Sequence, residues 1–146
     1  MTVTIARIHA MSAALLLTAL LSVTASAQVQ PKPEDLAQQS SVTWLALVDS
    51  GKYSQSWDEA AQSFKAAVTQ GQWQDALTSV RTPQGKVLQR KLKSATYTKS
   101  LPNAPAGEYV VIQYDTDFEH KQGATETIVP TLDKDGKWRV SGYFIK

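Results

Sequence analysis

The sequence predicts an α+β fold: three N-terminal helices packed on one face of a four-stranded antiparallel sheet, in the order αααββββ. Three observations carry this. The last third of the chain alternates apolar and polar residues with a period of two. The stretch from Pro33 to Val80 instead repeats its apolar residues at helical spacing. The two patterns follow one another without interleaving, and that segregation separates α+β from alternating α/β folds.

Residues 1–27 stand apart as a secretory signal peptide. Arg7 gives a positive start, Ala10 to Ala25 is apolar and leucine-rich, and Ala25-Ser26-Ala27 is a small-residue cleavage site. Cleavage is expected before Gln28, and no cysteine follows to carry a lipid. The alternative is an uncleaved anchor. Residues 28–33 read as an extended tether. The domain proper is expected over residues 34–146.

The first helix opens at Pro33 with Glu34 and Asp35, residues suited to a first turn and to the positive end of a helix dipole. It presents Ala37, Ser41, Trp44, Leu45 and Val48, and Gly51 stops it. Ser56 to Glu59 reads as a capping box for a second helix, with Trp57, Ala60, Ala61, Phe64 and Val68 on its stripe. Gly71 breaks that helix, and Trp73, Ala76, Leu77 and Val80 form a short third one. Thr82-Pro83 punctuates it. Val87 to Tyr97 is ambiguous between helix and strand; the reading taken is a strand from about Leu88 to Thr98. Leu101 to Gly107, with two prolines, is a loop.

From Glu108 to His120, Val110, Ile112, Tyr114 and Phe118 share one strand face. Lys121 to Gly123 is a turn. In the next strand, Ala124 to Leu132, Pro130 cannot donate to a ladder, which calls for an edge position or a bulge. Asp133 to Gly136 is a hairpin signal. The last strand, Lys137 to Ile145, places Trp138, Val140 and Phe144 on one face and Arg139, Ser141 and Tyr143 on the other. Gly142 marks a bulge or a close neighbour.

Composition narrows the chemistry. The chain has 146 residues, no cysteine and a formal charge of +2. Disulfides and thiolate chemistry are excluded, and no basic cluster points to nucleic acid. After cleavage His120 is the one histidine left, too few for a zinc site within one chain. Asp115, Asp117 and Glu119 line one strand face and fit a hard cation on paper; a solvated outer face explains them more simply. Thr131 to Gly142 partly fits a calcium loop but has glycine where a bidentate acid is needed. No nucleophile elbow, phosphate loop or dinucleotide fingerprint is present. No cofactor is expected, and no apolar run after the leader is long enough for membrane insertion.

Two catalytic candidates remain, Glu126 and His120. Alternation puts Glu126 on the face of Ile128 and Leu132, where burial would raise its pKa and suit it to acid–base work. Against this stands either a bulge near Pro130 that resets the alternation or a structural ion pair with Arg139 or Arg90. Trp57, Tyr97, Tyr114, Trp138 and Tyr143, with Arg139, are candidate ligand-binding residues in a cavity between helices and sheet; the plainer role for such aromatics is to fill the core. Lys86, Arg90, Lys91, Lys93 and Lys99 form a basic strip that fits edge protection.

Whole phrases of the chain resemble a bacterial family of exported proteins, domain-of-unknown-function family 4019. They include Asp49 to Tyr53, Ser56-Trp57, Phe64 to Val68, Gly107 to Val111, Thr125 to Thr127 and Gly136 to Ile145. The likeness runs from about Leu36 to Lys146 and implies export and a single domain, without naming an activity or catalytic residues. The αααββββ order is also similar to the cone of nuclear transport factor 2-like proteins, which include both enzymes and binding modules. The expectation is an exported domain, periplasmic or extracellular, that binds rather than catalyses. Its partner would be a small apolar ligand or an envelope protein. The alternative is a cone-type enzyme acting on a small apolar substrate with Glu126 or His120 as acid or base.

Overall fold

The computed structural model describes residues 30–146; the expected leader and the first two residues of the tether lie outside the described residues. Four α-helices precede the sheet: α1 (Pro33–Asp49), α2 (Tyr53–Asp58), α3 (Gln62–Ala67) and α4 (Gln70–Val80). A short 3-10 turn, Thr82–Gln84, leads into β1 (Val87–Thr98), β2 (Tyr109–Phe118), β3 (Lys121–Leu132) and β4 (Trp138–Ile145). The strands pair antiparallel in chain order, β1-β2-β3-β4. The fold is α+β with a four-stranded antiparallel sheet, built behind four helices rather than the three expected.

The extra helix comes from a break in the second one. Ala60 and Ala61 lie between α2 and α3, fully buried. The Ala61 N–H donates to the Val140 carbonyl at 2.9 Å, so the chain leaves the helix to dock on the outer edge of β4. Ser56 therefore caps nothing. It sits inside α2, where its hydroxyl donates to the Tyr53 carbonyl and accepts from the Trp73 indole N–H, while its carbonyl accepts from the Trp44 indole. The capping box falls instead at Thr69 and Gln72, opening α4. Gly71, expected to break a helix, lies within α4.

The buried residues of α1 are the five of its expected stripe: Ala37, Ser41, Trp44, Leu45 and Val48. Its end is a Schellman arrangement. Gly51 has φ +71°, its N–H donates to Val48, and the Lys52 N–H donates to Leu47. Helix α1 lies against all four strands, α2 packs on α1 and α4, and α3 meets β4. The core gathers Trp44, Leu45 and Trp73 from the helices with Val110, Ile112 and Ile128 from the sheet. Each large side chain so buried contributes about 1.5–3 kcal/mol.

Pro130 lies in an interior strand, and the register shifts there between Val129 and Pro130. Ser141 is the unmatched residue opposite, and its hydroxyl donates to the Val129 carbonyl at 2.8 Å. This bulge reverses the phase of β4. Tyr143 turns toward the helices and packs on Trp44, while Phe144, expected beside Val140, is exposed on the other side. A Cβ at Gly142 would lie 3.3 Å from the exposed Phe144 ring, which would have to shift slightly, and in ordinary contact with Val129 at 3.5 Å.

Candidate functional site

The residue with most chemical potential, Glu126, points inward with a side chain of 0% exposure. Strand β3 fixes this, because Glu126 pairs with the inward Tyr114 on β2 in a register where opposite residues share a face. Arg90 comes from β1 on the same face, opposite Thr116. Its Nε and Nη2 donate to Glu126 at 2.6 and 3.1 Å. Thr116 Oγ1 donates to Oε2 at 2.7 Å and the Tyr143 hydroxyl to Oε1 at 2.6 Å. A carboxylate offers about four lone-pair directions, and these four donors fill them.

The cluster continues outward. Asp49 accepts from Arg90 Nη1 and Nη2 at 2.7 and 3.0 Å, and from Arg81 Nη2 at 3.1 Å. Arg81 is buried, donates to the Gly85 carbonyl and lies 4.6 Å above the Phe118 ring. Two carboxylates and two guanidiniums make a charge-neutral chain from the core to the end of α1. Burial pulls the Arg90 guanidinium down, but hydrogen bonds from Asp49 and Glu126 more than reverse this, so it is held above the usual arginine range. Burial, then the charge and hydrogen bond of Glu126, push the Tyr143 phenol far above its ordinary value. Burial raises Tyr114 as well. Among the described residues the Tyr114 hydroxyl and Arg81 Nε find no partner.

This arrangement is a lock rather than a proton shuttle. Both guanidiniums can only donate hydrogen bonds. Glu126 has no oxygen free for a substrate proton, and it lines neither the groove beside α1 and Trp138 nor the grooves between α4 and β4. His120, the other candidate, is exposed in the turn between β2 and β3, where its backbone N–H donates to the Gln84 carbonyl.

Of the aromatic candidates, the structure brings Tyr114 and Tyr143 together around Glu126. The others go elsewhere. Trp57 is half-buried and its indole N–H donates to the Val68 carbonyl at 2.7 Å. The Tyr97 hydroxyl donates to Glu108 at 2.8 Å, which raises its pKa. Trp138 is half-buried beside Arg139 in an open groove of about 500 Å³ on the α1 side. Arg139 is spent on the β3–β4 turn, donating to Asp133 and, through two nitrogens, to Asp135. Those bonds hold the Asp135 carboxyl down at about 2. Trp44 meets Trp73 at a tilt and Tyr143 edge-on, and Phe64 meets Trp73 edge-on, with centroids 5.0–5.9 Å apart, so aromatic rings occupy the helix–sheet interface there. Asp115 pairs with Lys93 at 3.0 Å, and no cluster of three metal-ligating side chains occurs among the described residues.

Asp49, Arg81 and Thr116 were not anticipated as members of this cluster. Thr116 is signalled by alternation alone, between Tyr114 and Phe118. Asp49 carries a second signal: an acid in the last turn of a helix opposes the dipole by about 0.3–1 kcal/mol and calls for cations nearby.

The chain is an antiparallel α+β domain with an internal acid held by arginine. The family model described as a protein of unknown function (DUF4019) matches residues 40–143, and the chain belongs to that family. No curated protein matches the chain.

Proposed function

We propose that this is an exported, non-enzymatic binding module that works through its outer surface. The carrying observation is the saturation of Glu126 by Arg90, Thr116 and Tyr143, in an interface occupied by aromatic rings. The reading includes a cone-like arrangement of the sheet around α1, in the manner of nuclear transport factor 2-like proteins. It is supported by the contact of α1 with every strand. Export rests on the leader-like residues 1–27, and no helix of the described residues is long and apolar enough to cross a membrane. The partner is then a protein of the envelope or the exterior rather than an enclosed small molecule.

Native mass spectrometry of the chain from Gln28, released gently from its own compartment, tests this. The expected result is the bare polypeptide mass. A stoichiometric small molecule that leaves only on unfolding would overturn the reading.

A further inference from the structure

We infer that the outer edge of β4 accepts an extended peptide of a partner protein as a fifth strand, laid in the groove between β4 and α4. This rests on the surface-binding reading above and names its site.

The hydrogen-bond ladder shows which groups are available. Lys146 and Thr125 exchange both backbone hydrogen bonds at 3.0 Å, so Lys146 faces β3. In an antiparallel ladder this direction alternates, which turns Phe144 toward β3 and the N–H and C=O of Tyr143 and Ile145 away from it. Among the described residues the edge is occupied at its start, where the Ser40 hydroxyl holds the Trp138 carbonyl and the Ala61 N–H holds the Val140 carbonyl. Beyond that point the outward groups of Tyr143 and Ile145 pair with no backbone of the described residues.

An unpaired edge is normally guarded by charge. The other edge strand, β1, carries Arg90, Lys91 and Lys93. From Val140 to Ile145, β4 carries no charged residue. Beside it runs an apolar groove of about 310 Å³, walled by Trp73, Ala76, Leu77 and Val80 of α4 and floored by β4. A second groove of about 470 Å³ shares Trp73, Ala76, Tyr143 and Phe144 with it and continues toward Phe64 and Pro105 without a charged lining residue. Phe144 lies 57% exposed at the junction. From Ser141 to Lys146 this edge spans roughly 20 Å, at about 3.3 Å per residue, room for a strand of five or six residues.

Charge selects the occupant. Lys146, at one end, is the one charged side chain lining either groove. A complementary segment is extended and apolar on the side facing α4, with a carboxylate at the Lys146 end. Main-chain hydrogen bonds to Tyr143 and Ile145 would supply affinity, while the α4 groove and Lys146 supply selectivity.

The test pans a random dodecapeptide library, displayed on phage, against the chain from Gln28, then titrates the best synthetic peptide. The expected peptides alternate apolar residues and carry an acid. Their binding weakens at least ten-fold in Ala76→Arg, which fills the groove from an exposed helix position, and in Ile145→Pro, which removes an outward N–H. Lys146→Glu weakens it several-fold. Amide exchange at Tyr143 and Ile145 is fast in the free protein and slows at least ten-fold with peptide, while Phe144 is protected in both. Three results would overturn the proposal: no enriched peptide, binding indifferent to Ala76→Arg and Ile145→Pro, or a self-associated dimer that Ala76→Arg dissolves. None of these would touch the broader surface reading, which only a co-purifying enclosed ligand would remove.

Discussion

Replacing Arg90 by methionine probes the buried charge chain directly. In the native protein Glu126 is fully enclosed and Arg90 supplies two of its four donors. Methionine keeps much of the stem volume but removes the guanidinium, leaving a carboxylate with only two hydroxyl donors. Breaking a buried pair from one side costs about 3–5 kcal/mol, because the remaining charge is uncompensated. Domains of this size are stable by about 5–15 kcal/mol, so the loss is a large part of the total. With a urea slope of about 1–3 kcal/mol/M, the midpoint falls by more than about 1 M. The assay is equilibrium urea unfolding followed by tryptophan fluorescence. Adding Glu126→Gln to Arg90→Met removes the stranded charge and keeps an acceptor oxygen for one of the two hydroxyls, Tyr143 or Thr116, while the amide nitrogen can donate to the other, so the double variant is less destabilised than the single costs added together. The coupling is expected at about 1–3 kcal/mol. A wild-type midpoint for Arg90→Met, or strict additivity of the pair, would refute the reasoning.

Alkaline stability should follow Tyr143. Its folded pKa is raised, so the unfolded chain ionises near pH 10 while the folded protein keeps the proton. Its contribution is complete below pH 10 and declines as pH rises beyond it; Tyr143→Phe should flatten that decline in urea midpoints at pH 9, 10 and 11. Asp135 behaves in the opposite sense. Its folded pKa is lowered to about 2, so its contribution is present above the ordinary carboxylate range and is lost as pH falls through that value, seen as a late NMR titration that Arg139→Ala moves upward. Gly51→Ala forces a φ of +71° on a residue with a Cβ and should cost about 1–2 kcal/mol in the same urea assay.

The parts of the fold legible in the sequence are those set by local periodicity. The α1 stripe and the inward face of β2 follow from spacing, since each rests on one uninterrupted element. The misplacements lie where a distant contact overrides the local pattern. The second helix breaks because Ala61 bonds to a strand some eighty residues away, and Ser56 serves two tryptophans instead of a cap. Tyr143 and Phe144 exchange faces because the Pro130 bulge shifts the register by one residue. The inward turn of Glu126 follows from alternation, and Arg90 was one of two partners its charge suggested. The saturation of its lone pairs depends on Thr116 and Tyr143 converging from two other strands, which only the sheet register reveals.

The most direct test of the account is a high-resolution crystal structure of the chain from Gln28, purified without stripping. The account predicts Glu126 held by Arg90, Thr116 and Tyr143, and Trp44 packed against both Trp73 and Tyr143. A ligand lodged between α1 and the sheet, with Glu126 turned from Arg90 toward it, would contradict the account and return that acid to a chemical role.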